Sequence, residues 1–379
     1  MHFLVYLLMH LVTISMTDTD AVCTQAVVEK VKSLVPDIQH IESVIPGYGK
    51  GNNYMSFVYR ICVRFEKSKD LQWLFVKVRP KDESQVTEWA DFQIAFGNEC
   101  AAYGHLKELE LPMPKCILEN PDIIVLEDLT NEGYTMLDKA QGFNLAQTEA
   151  VLKKMARFHS NSIRLRKENP NSFETLCSRF QSLIPNFDKM PKDSEFYDKM
   201  VESIGEVEYD EIKVLLSGYK DGKLYDNVKQ FLTLNKRNED HELLGIIHGD
   251  CWINNVMLKV SEDDQDEKKD VKGSGSKIDV KFVDLQGIDA NSVLVDLVTF
   301  LVTSIDFQVL IDHYPHLLHL YHKHLNLPHL ELFRKLEKYK EFALPLFLYR
   351  ALPTRSVTKE EYANNFRLFA RFLRKYNFL

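Results

Sequence analysis

The run His248-Gly249-Asp250-Cys251-Trp252-Ile253-Asn254-Asn255 places a carboxylate and, five residues on, a carboxamide between two apolar stretches that read as short strands. Its spacing is H-x-D-x-x-x-x-N. Phosphoryl transfer calls for this pair: a carboxylate orients the attacking hydroxyl and accepts its proton, and a neutral oxygen donor nearby helps hold Mg²⁺ against the phosphates. Asp250 fits the first role and Asn255 the second. A solvated turn with an Asx motif would use the same residue types. The choice therefore depends on what accompanies them.

Asp284 follows the strand pattern Ile278, Val280, Phe282, where a second Mg²⁺ ligand would stand, although aspartates also end strands as plain turn residues. Lys77 lies inside WLFVKV, apolar on both faces, and an unpaired ammonium there would be costly. Phe96, Glu99 and Tyr103 fall on one helical stripe, so Glu99 also needs a partner. The simplest assignment pairs it with Lys77, which would then reach the α and β phosphates of ATP. A snorkelling lysine and a surface glutamate are the alternative. Upstream, GYGKGNNYMS precedes the strand that leads to Lys77. Gly49, Gly51, Asn52 and Asn53 there are candidates for a loop whose backbone N–H groups cover phosphates, or for an ordinary hairpin turn. LEDL at 126–129 leaves a strand, and the backbone near Glu127 and Leu129 is a candidate adenine contact.

These groups need elements to carry them. Residues 20–45 read as a helix with Pro36 ending it, then two strands follow around Phe57–Val63 and in LQWLFVKVRP. A long helix is expected over 84–110, two more strands in ELPMPKCILEN and DIIVLEDL, and a helix from a capping box at Asn144 and Gln147. Residues 174–240 read as mostly helical. Strands return around the Asp250 loop and in IDVKFVDLQ, with the charged, Gly/Ser-containing insert 261–277 between them as a mobile hairpin tip. Helices then run to the end. The expected fold class is α+β: a small lobe (18–130) with an antiparallel sheet and one long helix, and a large, mostly helical lobe (131–379).

Length and charge narrow the partners. At 379 residues the chain is too long for one core, in keeping with two lobes. With 47 Lys plus Arg against 55 Asp plus Glu, the net charge of −8 supplies no field for a nucleic acid backbone. The six cysteines form no CxxC pair or His/Cys cluster, so no zinc site is expected. The apolar run in 1–17 is too short to span a bilayer and lacks a basic start and a small-residue cleavage site. It reads as an upstream-start artefact, with a secretory signal or a membrane-proximal helix as the alternatives. A cytoplasmic monomer is expected.

Taken together, GYGKGNNYMSFVYR, FVKV, FGNECAAY, VLEDL, KMARFHSNS, HGDCWINNVM, FVDLQ and VDLVTFL resemble the ecdysteroid kinase-like family of insects and other arthropods, which carries the CHK kinase-like domain and is related to choline kinases and aminoglycoside phosphotransferases. The resemblance runs over about residues 25–375. It implies a two-lobed protein-kinase-like fold and ATP- and Mg²⁺-dependent phosphorylation of a small-molecule hydroxyl, on an ecdysteroid-like steroid or a xenobiotic. Carried over by position, Asp250 is the base, Asn255 and Asp284 hold Mg²⁺, Lys77 pairs with Glu99, and Gly49 to Asn53 form the phosphate loop. His248 would brace the catalytic loop, His159 would pack in the large lobe, and Asp296 would anchor the loop. The sequence departs from the family pattern at Asn52, Leu285 and 287–293. Other readings are a choline-, ethanolamine- or aminoglycoside-type kinase, and a non-catalytic pseudokinase that binds a hydrophobic ligand.

Overall fold

Lys77 is carried by the middle strand of an antiparallel sheet, and the rest of the architecture is best followed outward from it. The computed structural model describes residues 19–46, 56–68, 70–79, 92–183, 216, 218–219, 223–233, 241–261, 277–356 and 358–378. The extension 1–17, the glycine-rich segment with Gly49, Gly51, Asn52 and Asn53, and nearly all of the insert 261–277 lie outside them.

Helix α1 (Thr19–Leu34) is followed by β1 (Ile38–Pro46), β2 (Phe57–Phe65), β3 (Leu71–Val78), α2 (Phe92–His105), β4 (Cys116–Asn120) and β5 (Ile123–Glu127). The strands form one sheet in the order β1-β2-β3-β5-β4, each neighbouring pair antiparallel. One face presents Tyr59, Ile61, Val63, Leu74, Val76, Ile123 and Val125 to Val27, Val31 and Val35 beside α1. From the opposite face Ile124 and Leu126 join Phe96 and Tyr103 of α2 in the main core. Lys77 sits between these layers, paired in register with Val58 and Ile124.

Helix α1 stops at Leu34, in keeping with the expected end at Pro36, but the remainder of the stretch read as 20–45 is corrected: 38–46 is a strand. The cause is local. Ile38, Ile41 and Val44 recur every third residue, which imitates a helical stripe. In the structure that spacing arises from register shifts between Ile38 and His40 and between Ile41 and Ser43, each of which restores the inward face after an extra residue. The long helix expected over 84–110 is described only as Phe92–His105, with a separate short turn at Lys107–Leu109.

Beyond β5 the chain is mostly helical. Asn144 and Gln147 make the reciprocal capping box that starts α3 (Leu145–Glu168). The described helices α4 (Pro170–Cys177) and α5 (Lys223–Thr233) follow. A short three-stranded sheet then joins β6 (Thr135–Met136), β8 (Val256–Ser261) and β9 (Lys277–Phe282), and a two-stranded ribbon joins β7 (Leu244–Ile247) to β10 (Asp289–Ser292). These two small sheets hold the segments around Asp250 and Asp284. Beneath them α6 (Leu294–Thr303) is buried at every residue, as its apolar sequence requires, and α7 (Phe307–Leu325) packs along α3.

Near the C-terminus a continuous helical run comprises Ala343–Leu346, a π turn at Phe347–Ala351 and Leu352–Arg355, and α8 (Lys359–Lys375) closes the fold. Pro353 has no N–H to return to the carbonyl of Tyr349, which favours the wider turn. No helix among the described residues is long and apolar enough to cross a membrane.

Candidate active site

Sheet, helix α2 and the segment after β9 meet at one ammonium. Lys77 Nζ donates to Glu99 Oε1 at 2.8 Å, to Glu99 Oε2 at 2.7 Å and to Asp284 Oδ1 at 2.8 Å. Lys77 is 4% exposed and Glu99 3%, so both charges are almost wholly withdrawn from water. Burial alone would push the ammonium down, but the carboxylates of Asp284 and Glu99 outweigh it and hold Lys77 well above its ordinary value. For Glu99, burial pushes the carboxyl up and Asp284 adds to that, with Lys77 acting in opposition. A buried carboxylate pair of this kind is tolerated only while the ammonium lies between them.

Asp284 adopts a left-handed backbone (φ 63°), and its other oxygen, Oδ2, accepts from Gln286 Nε2 at 3.2 Å. Asn98, next to Glu99 on α2, donates through Nδ2 to the carbonyls of Gln181 at 2.8 Å and Gln286 at 3.1 Å. The helix that carries Glu99 is thereby fastened to the segment that carries Asp284.

On the facing side Asn255 spends its amide protons on Asp250. Its Nδ2 donates to the Asp250 carbonyl at 2.9 Å and to Asp250 Oδ2 at 2.8 Å. These two hydrogen bonds leave the Asn255 Oδ1, an acceptor, unused. The Val283 N–H donates to the Asn255 carbonyl at 3.0 Å, which sets Asp284 one residue from a direct link to Asn255. Asn255 is thus tied to Asp250 by its side chain and, through its carbonyl, to Val283 beside Asp284, while Asp284 itself meets Lys77. The side-chain oxygens of Asp250, Asn255 and Asp284 are hard donors, the kind that Mg²⁺ takes and that zinc or copper would not select.

The loop is braced from beneath. Asp296 at the start of α6 accepts from the His248 N–H at 2.7 Å and the Gly249 N–H at 2.9 Å. His159 Nε2 lies 3.1 Å from Asp296 Oδ2, and its Nδ1 lies 2.8 Å from the Tyr321 hydroxyl. Burial works against the Asp296 charge, yet the contacts from His159 and His248 hold its carboxyl below the usual range. The His248 ring accepts from the Asp250 N–H at Nδ1 (3.3 Å), so its Nε2 carries the proton donated to the Val283 carbonyl at 3.0 Å. Gly249 has φ +76° and packs directly on Gly287: a Cβ at 249 would stand 1.9 Å from the Gly287 carbonyl oxygen. Only glycine fits there.

Glu127 and Leu129 stand at the exit of β5. The Glu127 N–H already donates to the Lys115 carbonyl at 3.0 Å, and the Leu129 carbonyl accepts from Tyr134 at 2.9 Å. The side chain of Glu127 accepts from the Lys115 N–H at 2.8 Å. Gly49, Gly51, Asn52 and Asn53 are not among the described residues.

Three contributors escaped the sequence reading. Arg350 forms an ion pair from its guanidinium to Asp250 Oδ1. Gln286 and Asn98 tie the Asp284 segment in place. Arg350 stands 100 positions after Asp250 in FLYRAL, which offers no spacing cue. Gln286 lay within the quoted FVDLQ run, and Asn98 beside Glu99, but nothing in either run marks a polar side chain as a strap.

Fold and site together define a two-lobed protein-kinase-like architecture. An ethanolamine kinase structure from Plasmodium vivax, 13% identical, shares it with a TM-score of 0.50 over 98% of this chain and 94% of that one. A choline kinase from Cryptosporidium parvum is 14% identical with a TM-score of 0.48, covering 93% and 95% of the two chains. A macrolide 2'-phosphotransferase from Brachybacterium faecium is 10% identical with a TM-score of 0.41, covering 92% and 97%. No curated protein sequence matches the chain. The profile of the ecdysteroid kinase-like family matches residues 50–334, and the chain belongs to that family.

Proposed function

We propose that this protein is an ATP- and Mg²⁺-dependent small-molecule kinase that phosphorylates an alcohol hydroxyl, with an ecdysteroid-like steroid or a xenobiotic alcohol as acceptor. The observation that carries the reading is the Lys77 ammonium held between Glu99 and Asp284, with Asp250 hydrogen-bonded to Asn255 and Asn255 bonded in turn to Val283 beside Asp284. A structural ion pair would need Glu99 alone. The additional carboxylate at 284 is the one that would turn to Mg²⁺ when nucleotide is bound.

In this reading Asp250 aims the acceptor hydroxyl and takes its proton. The acceptor oxygen forms the new bond to the γ-phosphorus, the bond to the β,γ-bridging oxygen breaks, and ADP leaves. Lys77 holds the α and β phosphates, and Glu99 keeps its ammonium extended across the cleft. Asn255 and Asp284 are the residues that would hold Mg²⁺, which supplies charge neutralisation of the phosphates. Gly49, Gly51, Asn52 and Asn53 would cover the phosphates, and the backbone at Glu127 and Leu129 would meet the adenine. The lobes divide near residue 130. Among the described residues, the free thiols of Cys62, Cys100, Cys116, Cys177 and Cys251 support a reducing, cytoplasmic setting.

The test is an ATP-consumption screen of the purified protein with Mg²⁺ against steroid, choline-like and xenobiotic alcohols. Turnover of at least one alcohol supports the reading. Silence across the panel, together with no binding of Mg²⁺-ATP, would move the protein to the non-catalytic class.

A further inference from the structure

Arg350 does something that the phosphotransferase reading does not require. Its guanidinium pairs with the Asp250 carboxylate and lies over the Trp252 indole, with Cζ 4.8 Å from the ring centroid. It therefore grips the two residues that flank Cys251 in the loop. The two partners are the recognition elements of a cation site, a carboxylate and an aromatic face. Trp252 is 6% exposed, so its face is not open to bulk solvent. The π turn at Phe347–Ala351 widens the helix where this side chain leaves it, and such turns concentrate at functional positions.

We infer that Arg350 is a specificity-determining residue of the acceptor side: its guanidinium fills the carboxylate-and-indole site that a cationic alcohol would occupy, and so restricts the acceptor to uncharged alcohols. This rests on the assignment of Asp250 as the group that meets the acceptor. A quaternary or primary ammonium beside Asp250 would face a like charge already in place, with the indole face covered. A neutral hydroxyl meets no such opposition and can still donate its proton to Asp250. The internal cation also holds one oxygen of Asp250 while Asn255 holds the other, which fixes the carboxylate in one orientation.

The experiment uses the whole chain as wild type, Arg350→Met, Arg350→Gln and Arg350→Lys. Choline is titrated calorimetrically into each, with and without Mg²⁺ and a non-hydrolysable ATP analogue, and turnover of choline is compared with that of an ecdysteroid. Wild type and Arg350→Lys should bind choline weakly or not at all, and the two neutral variants should bind it about tenfold tighter or more. The ratio of the choline KM to the ecdysteroid KM should fall by about the same factor, while kcat for both alcohols drops as Asp250 loses its brace. Choline binding or turnover by wild type equal to that of Arg350→Met, or no gain in either neutral variant, would overturn the inference. Absence of nucleotide binding in wild type would instead defeat the phosphotransferase reading, while the choline titration without nucleotide would still decide the role of Arg350.

Discussion

Lys77 and Asp284, separated by 207 positions in the chain, meet at 2.8 Å, and that contact fastens the five-stranded sheet to the segment after β9. Because Glu99 shares the same ammonium, removal of Lys77 leaves two carboxylates facing each other without a cation. Lys77→Met should cost about 3–5 kcal/mol of folding stability, the range for breaking a buried ion pair. It should also abolish nucleotide binding. The stability loss should depend on pH. Glu99 in the variant has a folded pKa raised above its unfolded value near 4.3, so its neutral form is tolerated at low pH and stability falls as pH rises through and beyond that value. Urea denaturation of the variant and the wild type from pH 4 to 8 checks the slope.

Much of this arrangement was legible in the sequence, for identifiable reasons. Lys77 and Glu99 each interrupt an apolar pattern, and a buried charge announces its need for a partner. The spacing from Asp250 to Asn255 is local, and the capping box at Asn144 is a short-range signal. What the sequence hid was non-local or irregular. The register shifts of β1 break the strict alternation that would have marked 38–46 as a strand. Arg350 reaches Asp250 only through the packing of the C-terminal helices, and the Gly249–Gly287 approach joins two glycines that carry no mark of being neighbours.

The glycine contact makes a ranked prediction. Gly249→Ala adds a Cβ that would stand 1.9 Å from the Gly287 carbonyl oxygen, at a backbone angle (φ +76°) that strains any side chain. Gly287→Ala brings its Cβ no nearer than 3.1 Å to the His248 carbonyl oxygen. The first should lower the melting temperature and cripple activity, and the second should do so distinctly less. Equal effects would mean that the two backbones are free to separate.

Asp296 sets the behaviour of the loop in acid. Its folded pKa is held below the ordinary value, so the stability it contributes is complete above the unfolded pKa of about 3.9 and is lost as pH falls through the lower folded value. Asp296→Asn should therefore be less stable than wild type at neutral pH, and the difference should shrink below about pH 4. Acid titration of stability for the two proteins measures it.

Cys251 lies between Asp250 and Trp252, yet it should behave as an inert thiol. Burial, reinforced by the charges of Asp296 and Asp250, holds its pKa well above the ordinary value. Iodoacetamide at pH 8 should leave Cys251 unmodified in the folded protein and modify it after denaturation, as read by peptide mass spectrometry.

The most direct measurement compares wild type with Asp250→Asn for Mg²⁺-dependent transfer of the ATP γ-phosphate to an alcohol that the wild type accepts, with nucleotide binding followed in parallel. The account predicts a loss of transfer by about 10² or more, the scale of a positioned proton acceptor, with nucleotide affinity nearly unchanged. Transfer by the variant at the wild-type rate would contradict it.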